Sequence, residues 1–207
     1  MTPFPQGFRP AAAWMAPLLL IPAALLLAPA AQAHHLLSLL QLKPSPIAGF
    51  FSGLAHPVLG PDHLLFLLAL SLVGLRHRGF WMIGLLATGL VGSALGLVIP
   101  GLPGAEALVS FTLVLMALVL MGRLPMAVLF PAFAVHGYVL SGSVLGWTSM
   151  PIAFYLLGLL LSQGSLLLLS LTLLRPMAAR LRAPAQQGLA AALIGCGGAW
   201  TWSALVG

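Results

Sequence analysis

Only two carboxylates occur in the 207 residues, Asp62 and Glu106, and both fall at or within apolar stretches. An ionised acid in such a place is costly unless it is paired or holds a cation, so each needs a chemical role. Around the first, the string His56-Pro57-Val58-Leu59-Gly60-Pro61-Asp62-His63 gathers two imidazoles and a carboxylate. Nitrogen and oxygen donors of this kind suit Ni(II), Co(II) or Zn(II). Their spacing sets a condition. Seven residues of unbroken helix rise about 10.5 Å, so His56 and His63 would share a face yet stand too far apart to grip one ion at about 2.1 Å. Either the helix breaks between them or they serve successive sites. Gly60-Pro61 favours a break, because proline suits the first position of a helix, and Asp62 just inside that new N-terminus gains from the helix dipole. Interrupted helices are where transporters commonly hold ions.

The other histidines are His34 and His35 in a pair, His77 between two arginines and His136 in a long apolar run. His77 reads as part of a solvated loop. His136 either lines a metal route or bridges two helices through a hydrogen bond. Tyr155 and Gln163 are open to the same two readings, since neutral polar side chains often tie helices together in a membrane. The methionines are scattered without a helical spacing, which gives a thioether route for Cu(I) no support. The single cysteine, Cys196, excludes a disulfide framework or a cysteine cluster within one chain and reads as packing.

The elements that must position these groups follow from composition. Hydrophobic residues make up 61% and charged residues 5% of the chain, too little polar surface for a water-soluble domain. The fold class expected is all-α, a polytopic transmembrane bundle of about six helices in contact with the lipid bilayer. A net charge of +6 would on a soluble protein point to nucleic acid, but here the basic residues sit in short loops and report topology instead. Residues 1–33 have the form of a cleaved signal peptide: Arg9, an apolar run interrupted by Pro17 and Pro22, then Ala31-Gln32-Ala33. The mature chain, 34–207, then forms one transmembrane domain, with helices near 47–75, 79–99, 105–122, 124–145, 151–174 and 187–206.

With the mature N-terminus outside, the cytoplasmic loops carry Arg76, Arg78, Arg123, Arg175, Arg180 and Arg182, and Lys43 alone remains external, as the positive-inside rule requires. Counting from the external ends puts Asp62 and His63 about two turns deep, Glu106 at the start of its helix on the same side, and His136 roughly 13 Å down at 1.5 Å per residue. The expected metal-handling set is therefore His56, Asp62, His63, His136 and Glu106, with His34 and His35 for first capture.

The string His56-Pro-x-x-Gly60-x-Asp62-His63, ahead of an apolar helix, resembles the signature of the HupE/UreJ family of nickel and cobalt permeases. The likeness extends to the signal peptide ending before histidine, Gly104-Ala105-Glu106-Ala107 opening the third helix, and Phe133-Ala134-Val135-His136-Gly137 in the fourth. It implies about six helices in the mature protein and secondary transport of Ni(II) or Co(II) that needs the first-helix His and Asp residues. Where many relatives have a second histidine close after His136, this chain has Tyr138 and Leu140. It also has Gly92-Ser93 where some have His-Ser, and Leu160 before Gln163 where some have an acid.

Three classes of function are open to such a chain. A permease of the inner membrane would import nickel or cobalt as its transported substrate, with no prosthetic group and no catalysis. A metal-binding accessory protein would instead deliver ions to a partner. An intramembrane metal-dependent hydrolase, or a protease pairing His136 with Ser141 or Ser143, finds no His-Glu-x-x-His and no nucleophile turn in the sequence. Nor does a nucleotide-binding motif occur, so the energy would come from an ion gradient, the membrane potential or partners. The partners expected are the divalent ion and the bilayer, with a second copy of the chain or a metalloenzyme-maturation protein left open.

Overall fold

The computed structural model describes residues 43–206, so the signal-peptide segment and His34 and His35 lie outside the described residues. Within 43–206 the structure is helical, without strands. Eight α-helices are numbered in chain order: α1 (Pro46–Leu59), α2 (Pro61–Ala69), α3 (Arg78–Val98), α4 (Ala105–Leu120), α5 (Leu129–Leu140), α6 (Ser149–Leu168), α7 (Arg175–Ala178) and α8 (Ala183–Val206). Short 3-10 turns, Met126–Val128 and Ser141–Val144, extend α5 at both ends, and a π-helical stretch, Leu169–Leu174, joins α6 to α7.

Four of these segments are long and apolar enough to cross a membrane: Arg78–Val98, Met126–Val144, Ser149–Ala178 and Ala183–Val206. The other two are shorter. One is the interrupted pair α1 and α2. The other is α4, whose 16 residues span about 24 Å against a hydrocarbon core of about 30 Å. Glu106 lies in the first turn of α4.

The start of α1 is explained by its first residues. Ser45 accepts a hydrogen bond from the Ala48 N–H at 3.1 Å, and Pro46 takes a position that lacks a helical partner anyway. Its end follows from Gly60 and Pro61. A residue before proline is pushed out of the helical region, and Gly60 sits at φ −80°, ψ 107°, while Pro61 starts α2. Asp62 in the first turn of α2 then accepts a hydrogen bond from the His63 N–H at 2.8 Å. The expected interruption between His56 and His63 is thus present at Gly60.

Two close helix seams hold the frame. On α1, side chains at Gly49 and Gly53 would overlap the backbone carbonyls of Pro151 and Tyr155 on α6, and one at Gly158 would overlap that of Phe50. On α3, a side chain at Gly92 would overlap the Ala134 carbonyl of α5, and one at Gly137 the Gly89 carbonyl. Ser93 Oγ reaches both Gly89 O at 3.1 Å and Gly137 O at 3.0 Å, tying that seam together. Backbone contact through small residues is how helices gain association energy in lipid, where burial of apolar surface drives little. Phe66, Leu67, Leu113, Met116 and Phe133 fill the core beneath the polar cluster.

Candidate metal site

The break at Gly60 turns the two ends of the His56–His63 string toward one another. The imidazole centroids are 6.0 Å apart, well short of the rise a continuous helix would impose. Gly60 itself makes room: a Cβ there would lie 2.5 Å from His63 Cδ2. His56, Asp62 and His63 are 0%, 1% and 2% exposed, so all three are enclosed by the bundle.

His63 meets α5. Its Nδ1 lies 2.6 Å from His136 Nδ1, and His136 packs at a tilt against Phe66 with ring centroids 4.4 Å apart. On its other edge His136 Nε2 lies 2.7 Å from Thr112 Oγ1 of α4, which is also 2.6 Å from its own helix's Val109 carbonyl. His56 meets α6, with Nδ1 at 2.9 Å from the Tyr155 hydroxyl and 3.4 Å from Ser143 Oγ. The Tyr155 hydroxyl in turn donates a short hydrogen bond to the Leu140 carbonyl. Five helices, α1, α2, α4, α5 and α6, therefore hold the cluster, and the α1–α6 glycine seam is what brings Tyr155 up to His56.

The arrangement has the chemistry of a cation site. His63 Nε2 and Asp62 Oδ1 are 3.9 Å apart, a gap that one ion with bonds of about 2.1 Å to each would bridge at a wide angle. Nickel, cobalt and zinc all accept such a nitrogen and oxygen pair. Among the described residues, no three His, Cys, Asp or Glu side chains already converge on a single coordination point. The His63–His136 contact is also shorter than the separation of two imidazole nitrogens sharing one ion.

Glu106 takes a different place. Half-buried at the start of α4, it lines a cavity of about 280 Å³ with Gly96, Pro100, Tyr138, Ser141 and Gly142, and no histidine is among the lining residues. Tyr138 shapes this mouth by bonding Ile99 O at 2.7 Å and Leu102 N at 2.9 Å, so it staples the α3–α4 loop. Gln163 is buried near Gly89 at the α3 seam, and His77 is exposed in the loop before α3. Thr112 was not singled out by sequence, and Ser143 was named only as a candidate partner of His136 in a protease, whereas in the structure it lies near His56. A threonine bonding its own helix three residues back is ordinary in an apolar helix, and nothing in the linear order ties Thr112 to His136.

The family model described as HupE / UreJ protein matches residues 22–200. No curated protein and no solved structure matches the chain.

Proposed function

The chain belongs to the HupE / UreJ protein family, a transporter-type membrane family associated with nickel and cobalt transport, and from that premise we propose that it is a secondary permease importing Ni(II) or Co(II) across a bacterial inner membrane. The observation that carries this reading is the helix break at Gly60, which gathers His56, Asp62 and His63 inside an apolar bundle. A carboxylate and two imidazoles are placed there at a cost that a transported dication offsets.

In this reading the mature N-terminus is periplasmic, and His34 and His35 capture the ion first, His34 through its free amine and imidazole together. Glu106 draws the cation into the outer cavity, and the ion then passes to Asp62 and His63. The carboxylate neutralises half of its charge while the imidazoles replace hydration water. No nucleotide site is needed: at −100 mV, inward movement of two positive charges gains about 4.6 kcal/mol. Nickel and cobalt are favoured over Mg(II), whose octahedral shell prefers oxygen donors alone.

The test is isotope uptake into vesicles that contain only the purified chain, with excess cold ions as competitors. Accumulation of nickel or cobalt, suppressed by either cold ion, is the expected result. If the folded, inserted chain loads no ion, the permease reading is wrong and delivery to a partner protein takes its place.

A further inference from the structure

Away from the histidine cluster, a groove of about 520 Å³ opens between α2, α7 and α8, at the end of the bundle that carries Arg175, Arg180 and Arg182. Its wall is apolar except for Ser71 and Cys196. Ser71 donates its hydroxyl to Leu68 O at 2.7 Å, so the wall presents hydrocarbon to whatever fills it. Ala178 and Leu193 are buried in the floor, and Met177 and Leu189 are exposed at the rim. The groove begins at Leu181, in the turn before α8, and reaches Cys196, which lies about 20 Å along α8 from Ala183. It therefore runs from the basic turn toward the middle of a bilayer, which is the course of a lipid tail. A further transmembrane helix, about 10–12 Å across, would fill this volume in roughly one turn, whereas a flexible acyl chain follows its length.

Charge at the mouth selects among lipids. Arg180 and Arg182 flank Leu181 in the turn between α7 and α8, and both are exposed. That turn is fixed by hydrogen bonds from Arg180 N–H to Met177 O and from Leu181 N–H to Ala178 O, each 3.1 Å. Both carboxylates of the chain lie elsewhere. Asp62 is enclosed in the bundle, and Glu106 stands at the opposite end of the α4–α8 pair. At the Glu106 end, Thr201 Oγ1 of α8 donates to Ala107 O at 3.4 Å; at the other end, Ala183 and Gln186 share a cavity wall with Leu120 and Arg123. Basic residues at one end of a membrane bundle follow from topology, but an apolar groove opening beside them does not. Basic pockets between membrane helices recognise anionic lipid head groups. We propose that the groove binds one anionic phospholipid, with an acyl chain along the Leu189–Cys196 stretch of α8 and the phosphate at Arg180 and Arg182. The site is independent of which ion, if any, the chain transports.

The test is photocrosslinking of the purified full chain in phosphatidylcholine vesicles. Each preparation contains a trace of phosphatidylglycerol or of phosphatidylcholine with the same diazirine-bearing acyl chain, and the labelled residues are located by mass spectrometry. Phosphatidylcholine is the control because its ammonium cancels the phosphate charge. Labelling of the α8 groove residues, Leu189 to Cys196, should be about tenfold stronger or more with the phosphatidylglycerol probe, and unlabelled phosphatidylglycerol should suppress it. Ile83 and Val91, exposed on α3, should be labelled equally by the two probes. Arg180→Gln combined with Arg182→Gln should equalise the probes in the groove, and the corresponding double lysine variant, which keeps the charge, should retain the preference. Ala192→Trp, at an exposed position of the wall, should block groove labelling by both. Equal groove labelling by the two probes in the wild type overturns the proposal, as does an undiminished preference in the double glutamine variant. Absence of groove labelling also overturns it and would mean that another segment or a second copy of the chain covers the groove. The wild-type comparison decides the matter even if the glutamine variant fails to insert.

Discussion

Asp62 and His63 are neighbours in sequence and opposite in demand. The carboxylate needs a positive partner in an apolar surrounding, and the imidazole needs both of its nitrogens matched. In the proposed reading an ion held between Asp62 Oδ1 and His63 Nε2, 3.9 Å apart, would serve both. We expect Asp62→Asn and His63→Ala each to abolish nickel and cobalt uptake while the protein still reaches the membrane in normal amount, measured by uptake beside immunoblotting. Normal uptake in both variants would remove the site assignment. Gly60 offers a subtler test, because the methyl of Gly60→Ala would meet His63 Cδ2 at 2.5 Å. The ring cannot shift without loosening its 2.6 Å contact to His136. Uptake affinity should therefore fall about tenfold or more, while a glycine-to-alanine change at exposed Gly195 on α8, where a Cβ meets nothing within 4 Å, should have no effect.

At the scale of elements, the cluster depends on two seams of helix backbone. The α3–α5 seam carries His136 and the α1–α6 seam carries the pairing of His56 with Tyr155. Gly137→Val would drive its side chain into the Gly89 carbonyl and strain the Ser93 bridge, forcing α3 and α5 apart. A cost of about 1–3 kcal/mol is expected for such overpacking, visible as a lowered melting temperature in detergent. Gly198→Val on α8, where a side chain meets nothing within 4 Å, is the matched control and should melt like the wild type. Equal melting of the two variants would show that the seam does not bear the load assigned to it. The break in the first span works at this scale too: neither Gly60 nor Pro61 is a ligand, yet together they turn a seven-residue separation into a 6.0 Å one.

For the whole molecule, the distribution of basic residues gives an orientation that labelling can check. In a Cys196→Ser background, Gly101→Cys in the α3–α4 loop should react with an impermeant reagent added outside intact spheroplasts, and Arg123→Cys only after the membrane is opened. Intact mass of the purified chain should place the mature N-terminus at His34. The reverse labelling pattern would invert the direction of transport inferred from the site.

Much of the molecule was legible before any fold was known. Composition alone puts the chain in a membrane, because a chain with 5% charged residues cannot cover a water-facing surface. Local chemistry was equally readable: Gly60-Pro61 predicts a break because proline restricts the residue before it, and two acids among apolar runs mark themselves by their cost. These are properties of short stretches, so the linear order determines them. Which residues meet was decided only by packing. Rotation of α4 aims Thr112 at His136, residues 24 apart, and the α1–α6 seam aims Tyr155 at His56, 99 apart. Glu106 shares an outer level with Asp62 by residue counting, yet lines a cavity with no histidine in its wall. Depth along a helix follows from counting residues, whereas the face a side chain presents to its neighbours depends on how close glycines let the helices come. That approach is set by tertiary structure alone.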